Sequence, residues 1–136
     1  MEVTTLDLSK ADGYTATEFD FLKKALRRSG RYREDLLYHG FDGANISRLL
    51  KTGQDTDAEL LFCFKEDEID GDSNTASLFH YAYEDHSIPA IAVFDPSKLN
   101  HIGYPTEYAY TFKNPGRKLE ALVAVFKLAY RKARRK

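Results

Sequence analysis

The sequence predicts a single α+β domain, and three observations lead to that prediction. Short apolar runs typical of strands are mixed with amphipathic segments of helical spacing, without the regular strand–helix–strand repeat of a doubly wound sheet. The length of 136 residues suits one domain with one core. No internal repeat or low-complexity linker marks a domain boundary. We therefore expect one folded unit over residues 1–136.

Composition excludes several broad classes of protein. The formal net charge of −1 provides no overall field that would attract nucleic acid or a membrane. A single cysteine, Cys63, excludes an intrachain disulfide, fits a reducing compartment, and is expected in the core because its strand is apolar. No apolar stretch approaches the ~20 residues of a membrane helix, and residues 1–5 lack the features of a secretory signal. We expect a soluble, cytoplasmic protein without membrane contact.

The first half of the chain predicts two helices and two strands after a weakly ordered or strand-like start. A helix begins near Thr15, where a threonine cap precedes an acidic first turn, and ends before Gly30. Residues 35–40 form a short buried strand closed by a glycine. A second helix covers roughly 45–51 and ends at a Thr-Gly pair. Residues 59–64 predict a central strand, because 60–64 are apolar throughout.

The second half contains two expected strands and one ambiguous run. The expected elements are an acidic loop over 65–74, a helix over 75–86, a strand over 90–94, a turn over 95–98 and an alternating strand over 107–112. The apolar run 119–130 fits a helix and a strand equally well, so its conformation stays open at the level of sequence.

Three kinds of side chain are candidates for chemistry. His39 lies beside Gly40 at the expected end of a strand, where a backbone can approach a ligand, and its imidazole can bond a ribose hydroxyl or transfer a proton. Tyr81 and Tyr83 lie two apart on an expected helix, so one can stack on a planar heterocycle while the other faces the core. Glu107, near a strand start, could bond a sugar hydroxyl and stabilise a developing oxocarbenium-like cation. Each also has a structural interpretation: a strand-capping histidine, core tyrosines and a solvated carboxylate.

The order of these residues along the chain resembles that of a known enzyme superfamily. The run Leu37-Tyr38-His39-Gly40, followed by a helix ending at Thr52-Gly53, resembles the first motif of the ADP-ribosyltransferases, in the His-Tyr-Glu branch of diphtheria toxin and the poly-ADP-ribose polymerases. The strand 61–64 and the helix containing Tyr81 are similar to the second motif, and Glu107-Tyr108 resembles the third. Phe41 stands where the family commonly has Thr or Ser, and the acidic loop is unusually long.

The resemblance implies a small split β-sheet with flanking helices and with NAD, as substrate, in the cleft between two small sheets. His39 and Gly40 would contact a ribose, Tyr38, Tyr81 or Tyr83 would stack on nicotinamide, and Glu107 would be catalytic. ADP-ribose would pass from NAD to a protein or nucleic-acid acceptor. The resemblance also implies a catalytic-like core over 36–130, with 1–34 as a helical extension and 131–136 as a basic tail.

Two other functions remain open at this stage. The cleft could hold a nucleotide or a peptide without catalysis, as a binding module. Alternatively, the basic tail 131–136 could make weak contacts with the phosphates of nucleic acid. A metal site is not expected, because the four histidines have no tight ligand spacing, and the acidic loop lacks the ligand pattern of a calcium-binding hand.

Overall fold

The fold is given by a computed structural model that describes residues 2–9, 15–53, 55, 60–66, 88–98, 100–101, 110–113 and 118–129. Several sequence predictions lie outside these residues: most of the acidic loop, the helix over 75–86 with Tyr81 and Tyr83, Glu107, and the basic tail.

Seven strands and three helices are described. In chain order they are β1 (Val3–Asp7), α1 (Thr15–Arg28), β2 (Leu37–Asp42), α2 (Ile46–Thr52), β3 (Leu60–Lys65), β4 (Pro89–Phe94), β5 (Asn100–His101), β6 (Tyr110–Lys113), α3 (Lys118–Ala121) and β7 (Leu122–Ala129). Short 3-10 turns occupy Gly43–Asn45 and Pro96–Lys98. No helix within these described ranges is both long and apolar enough to cross a membrane.

The strands form one mixed sheet in the order β1-β7-β4-β2-β3-β6-β5. β1 and β7 are parallel, and every other described pair is antiparallel. β3 is shared: its last two residues pair with β2, and Leu60–Cys63 pair with β6. The predicted α+β class is confirmed, since the sheet contains no repeated parallel strand–helix–strand unit.

The core lies on both faces of the sheet, because successive strand residues point to opposite sides. One face packs under α1 and includes Tyr38, Phe64 and Phe126. The other face packs against α2 and α3 and includes Phe41 and Phe94. The β4–β7 ladder has a register shift between Val93 and Phe94, which pair with Ala124 and Leu122.

The N-terminal segment belongs to this core. β1 is a strand of the sheet itself, paired with β7 along its whole length. Phe19, Leu22 and Leu26 of α1 are fully buried in the same cluster as Tyr38. The expected extension over 1–34 is therefore corrected: without α1, one apolar face of the sheet would be open to water.

The local signals for helix ends are confirmed. α1 ends at Arg28, and Gly30 follows with a φ of 73°, while the Arg31 N–H donates to the Leu26 carbonyl at 2.9 Å. α2 ends at Thr52, and Gly53 adopts a φ of 81° with its N–H on the Leu49 carbonyl. Glycine adopts this left-handed conformation without the steric cost of a Cβ.

The ambiguous C-terminal run contains a short helix followed by a long strand. α3 ends at Ala121, and β7 then pairs with β4 on one side and β1 on the other. The backbone N–H and C=O groups of β7 bond to two neighbouring strands, and this pairing decides for a strand over a helix. The periodicity of the run itself does not reveal these neighbours.

Candidate functional site

The Tyr38-His39-Gly40 run lies inside β2. All six residues from Leu37 to Asp42 pair with β4, and Gly40 is opposite Ile91. The prediction that Gly40 closes the strand is wrong, because the ladder with β4 continues two residues further. The strand ends at Asp42, whose Oδ1 accepts a hydrogen bond from the Ala44 N–H at 3.0 Å and caps the following turn.

Tyr38 and His39 point to opposite faces of the sheet, as adjacent strand residues must. The Tyr38 side chain is fully buried under α1, and its ring and the Phe19 ring are perpendicular, with a centroid distance of 4.9 Å. Tyr38 is therefore a core residue, and its ring offers no open surface on which a nicotinamide could stack. Its expected role in binding is corrected.

His39 forms a close polar pair with a residue that the sequence interpretation missed. Its Nε2 lies 2.9 Å from Oδ1 of Asp55, and the two side chains are 12% and 11% exposed. The left-handed turn at Gly53 ends α2 and directs the chain towards His39. The available signal was an aspartate just beyond a glycine-terminated helix, but nothing in the sequence relates that position to His39, sixteen residues earlier.

Phe41 forms a side wall for the imidazole. The two rings are nearly parallel, with a 7° interplanar angle and centroids 5.9 Å apart. Phe41 is itself buried against the α2 side of the core. Phe41 therefore covers one face of the His39 ring, and Asp55 holds its Nε2 edge.

His39 also lies where two strands stop pairing. Among the described residues, β2 and β3 pair only through Leu37 with Lys65 and Tyr38 with Phe64. Beyond these pairs β2 continues along β4, while Leu60–Cys63 continue along β6. We call the region between His39–Asp42 and Leu60–Cys63 the fork. His39 is the first β2 residue of the fork.

The site can bind a hydroxyl group or move a proton. A carboxylate that is hydrogen-bonded to one imidazole nitrogen fixes the orientation of the ring. Both side chains of the pair are largely buried, and Cys63 is fully buried in the core cluster on the α2 side, as its apolar strand predicted. Burial among apolar groups strengthens the electrostatic interaction of the two side chains.

A second polar cluster joins α1 to the end of β3. The Tyr32 hydroxyl donates to Oε1 of Glu66 at 2.6 Å, and Lys23 Nζ lies 3.6 Å from the other carboxylate oxygen. Burial, and then the bond to Glu66 and its negative charge, raise the pKa of Tyr32 to about 12. This cluster anchors Glu66, the residue that follows β3, to α1.

Three of the remaining predicted site residues lie outside the part of the chain that the structure describes. These are Tyr81, Tyr83 and Glu107, and their meeting with His39 stays a prediction. Gly40 is partly buried beside His39 in β2. Within the described part of the chain, no group of three or more His, Cys, Asp or Glu side chains is placed to hold a metal ion.

Comparison with known proteins gives this chain no relative. No protein-family model matches it, and neither a curated protein nor a solved structure does.

Proposed function

We propose that this protein binds NAD at the fork and transfers ADP-ribose from it to an acceptor. The observation that carries the proposal is His39 itself. It is one-eighth exposed at the fork, with its Nε2 2.9 Å from Asp55. A histidine held in this way can bond a ribose hydroxyl, which is the role that the ADP-ribosyltransferase resemblance gives it.

In the proposed reaction, the bond between the ribose anomeric carbon and the nicotinamide nitrogen breaks. Its electron pair leaves with nicotinamide, which departs as a neutral molecule. An acceptor nucleophile forms the new bond to the anomeric carbon and loses a proton. Glu107 would orient the ribose and stabilise the cation that develops as nicotinamide leaves.

NAD fits the chemistry of the described residues in one respect. A dinucleotide presents ribose hydroxyls, and imidazole and carboxylate groups are side chains that form hydrogen bonds with hydroxyl groups. With Tyr38 in the core, the stacking role falls to Tyr81 or Tyr83.

A non-catalytic nucleotide-binding module is the second candidate. It is favoured by the burial of Tyr38, which removes one of the expected aromatic contacts. A His–Asp pair can hold a hydroxyl without any group that would drive cleavage. This candidate therefore retains the NAD site and omits the chemical step.

The test measures NAD binding and, separately, cleavage of the bond between nicotinamide and ribose without an added acceptor. NAD affinity is measured by titration calorimetry, and nicotinamide release is measured with water as the acceptor. Glu107→Gln should lower nicotinamide release by about a hundredfold and leave NAD affinity nearly unchanged, since the carboxylate acts mainly in the transition state. His39→Gln keeps an amide that can bond Asp55, and should weaken NAD binding about tenfold.

Glu34→Gln, at an exposed position before β2, is the matched control and should change neither quantity. Failure of the wild-type protein to bind millimolar NAD would refute both candidates. Binding without release of nicotinamide would support the binding module and refute transfer. Equal release by wild type and Glu107→Gln would show that the assigned catalytic residue is wrong.

A further inference from the structure

A groove runs between α1 and the outer edge of the sheet, and none of its lining residues belongs to the His39 site. Its volume is about 360 Å³. One side is formed by Thr4–Asp7 of β1, and the other by Phe21, Lys24, Ala25 and Arg28 of α1. These helical positions recur at intervals of three and four residues, so they form one stripe along the helix.

β1 is the edge strand beside this groove. Among the described strands it pairs on one side only, with β7. Its sequence, Val-Thr-Thr-Leu-Asp, contains neither the proline nor the lysine that commonly protects an edge from pairing with another chain. The edge is therefore suited to accept one further strand through backbone hydrogen bonds.

The helix side of the groove combines an apolar floor with a basic rim. Phe21 and Ala25 are half-buried and pack against the core cluster that contains Leu6. Lys24 and Arg28 are exposed, and Lys24 Nζ lies 5.8 Å from the centre of the Phe21 ring. Asp7 supplies an acidic group to the strand side of the groove.

The spacing of the two cations matches that of alternate residues in a strand. Four helical residues rise about 6 Å, while side chains two apart on one face of a strand are about 6.7 Å apart. An added strand with carboxylates at two alternate positions could therefore meet Lys24 and Arg28 together. A third alternate position, one turn back along α1, would lie against Phe21.

We propose that this groove binds an extended segment of a partner protein that joins β1 as an additional strand. On its groove-facing side the segment carries one aliphatic and two acidic side chains at three alternate positions. The aliphatic side chain packs on Phe21, and the acidic ones pair with Lys24 and Arg28. The proposal does not depend on NAD binding.

The test uses the full chain and a short, fluorescently labelled, terminally blocked peptide, Thr-Val-Thr-Glu-Thr-Glu-Thr, with binding followed by anisotropy. The double substitution Lys24→Gln and Arg28→Gln should weaken binding about tenfold at low salt, because two exposed ion pairs are lost. Added salt should reduce wild-type affinity in the same direction. Lys51→Gln, at an exposed position on α2, is the matched control and should bind as wild type does.

Backbone pairing is tested separately from charge. Two further peptides carry N-methyl groups on alternate residues, one set on each edge of the strand. One should lose binding and the other should retain it, because only one edge of the peptide pairs with β1. Equal binding by both, no binding of the parent peptide, or an unchanged affinity in the double variant would overturn the proposal. A dimer of the free protein formed through β1 would also overturn it, since the occupant would be a second copy.

Discussion

At the scale of single residues, the turn after β2 depends on the absence of a side chain at Gly43. The Gly43 N–H donates to the Ile88 carbonyl at 2.6 Å, which ties this turn to the residue entering β4. A Cβ at position 43 would lie 2.4 Å from Cγ2 and 2.9 Å from the carbonyl oxygen of Ile88. The glycine is required for close approach.

Gly43→Ala should therefore lower the free energy of unfolding by about 2 kcal/mol, as overpacking does elsewhere. Urea unfolding measures the change. Ile88→Ala removes the closer contact, so the double variant should recover part of the loss. Full recovery of stability is not expected, because the contact with the Ile88 carbonyl oxygen remains. If the two substitutions changed the free energy of unfolding additively, a steric clash with the Ile88 side chain would not be the cause.

A second residue-scale feature is the carboxyl group of Asp95, which caps the 3-10 turn at Pro96–Lys98. Burial alone would raise its pKa, but hydrogen bonds from Arg33 and from the backbone and hydroxyl of Ser97 outweigh burial and lower it. Arg33 Nη1 lies 3.2 Å from Oδ2 of Asp95. The folded protein thus favours the ionised carboxylate.

This lowered pKa predicts a pH-dependent contribution to stability. The contribution is complete above the unfolded-state pKa of about 3.9, and it is lost as the pH falls through the lower folded-state value. Asp95→Asn should cost about 1 kcal/mol at neutral pH, and the difference from wild type should shrink in acid. Urea unfolding across an acidic pH series measures it, with the exposed Asp20→Asn as control. A difference independent of pH would contradict the electrostatic cause.

At the scale of elements, α1 covers one face of the sheet. The Leu22 side chain is fully buried and belongs to the same core cluster as Tyr38 and Phe126. Helix formation at 15–28 was predictable from spacing and end signals, whereas the identity of the surface that it covers was not.

Leu22→Ala should lower the free energy of unfolding by about 3 kcal/mol, because a buried leucine leaves a cavity that neighbours only partly fill. Circular dichroism and tyrosine fluorescence should report the same single transition, since helix and sheet share one core. Lys24→Ala, exposed on the same helix, is the control and should have little effect. Separate transitions for helix and sheet would show that α1 is an independent extension.

The other element-scale result concerns β3, which belongs to two pairings at once. Its apolar sequence predicted a central strand, and it lies between β2 and β6. The point at which it leaves β2 decides where the fork opens, and hence where His39 becomes reachable. That point depends on two distant strands, so no local pattern in 60–65 encodes it.

At the scale of the whole molecule, stability should be graded across the sheet. All six residues of β4 are buried, and β4 pairs with β2 and β7. β1 and β5 lie at the two ends of the strand order. Central strands open only with the rest of the structure, while edges can open locally.

Hydrogen exchange followed by mass spectrometry should find the slowest amides in β4 and β7. Those of β5 should exchange fastest among the described strands, because β5 has two residues and one neighbour. β1 should be intermediate. If the amides of β1 exchanged as slowly as those of β4, the predicted gradient would be wrong for the isolated chain. Such slow exchange would indicate that another strand pairs with the edge of β1.

The sequence alone determined the features that depend on neighbouring residues. The 90–94 run predicted β4, helical spacing followed by a glycine predicted α1 and α2, and the apolar surroundings of Cys63 predicted its burial. These follow from backbone geometry and side-chain periodicity within a few residues. The α+β class follows from the irregular order of such elements.

Only the tertiary structure decided which residues meet. Pairing on both sides made 122–129 a strand, and pairing with β4 carried β2 past Gly40. The pleat of β2 sent Tyr38 into the core and His39 to the other face, where the end of α2 brought Asp55 to it. Such contacts join residues far apart in the chain, and the free energy of packing and hydrogen bonding selects them after the local elements have formed.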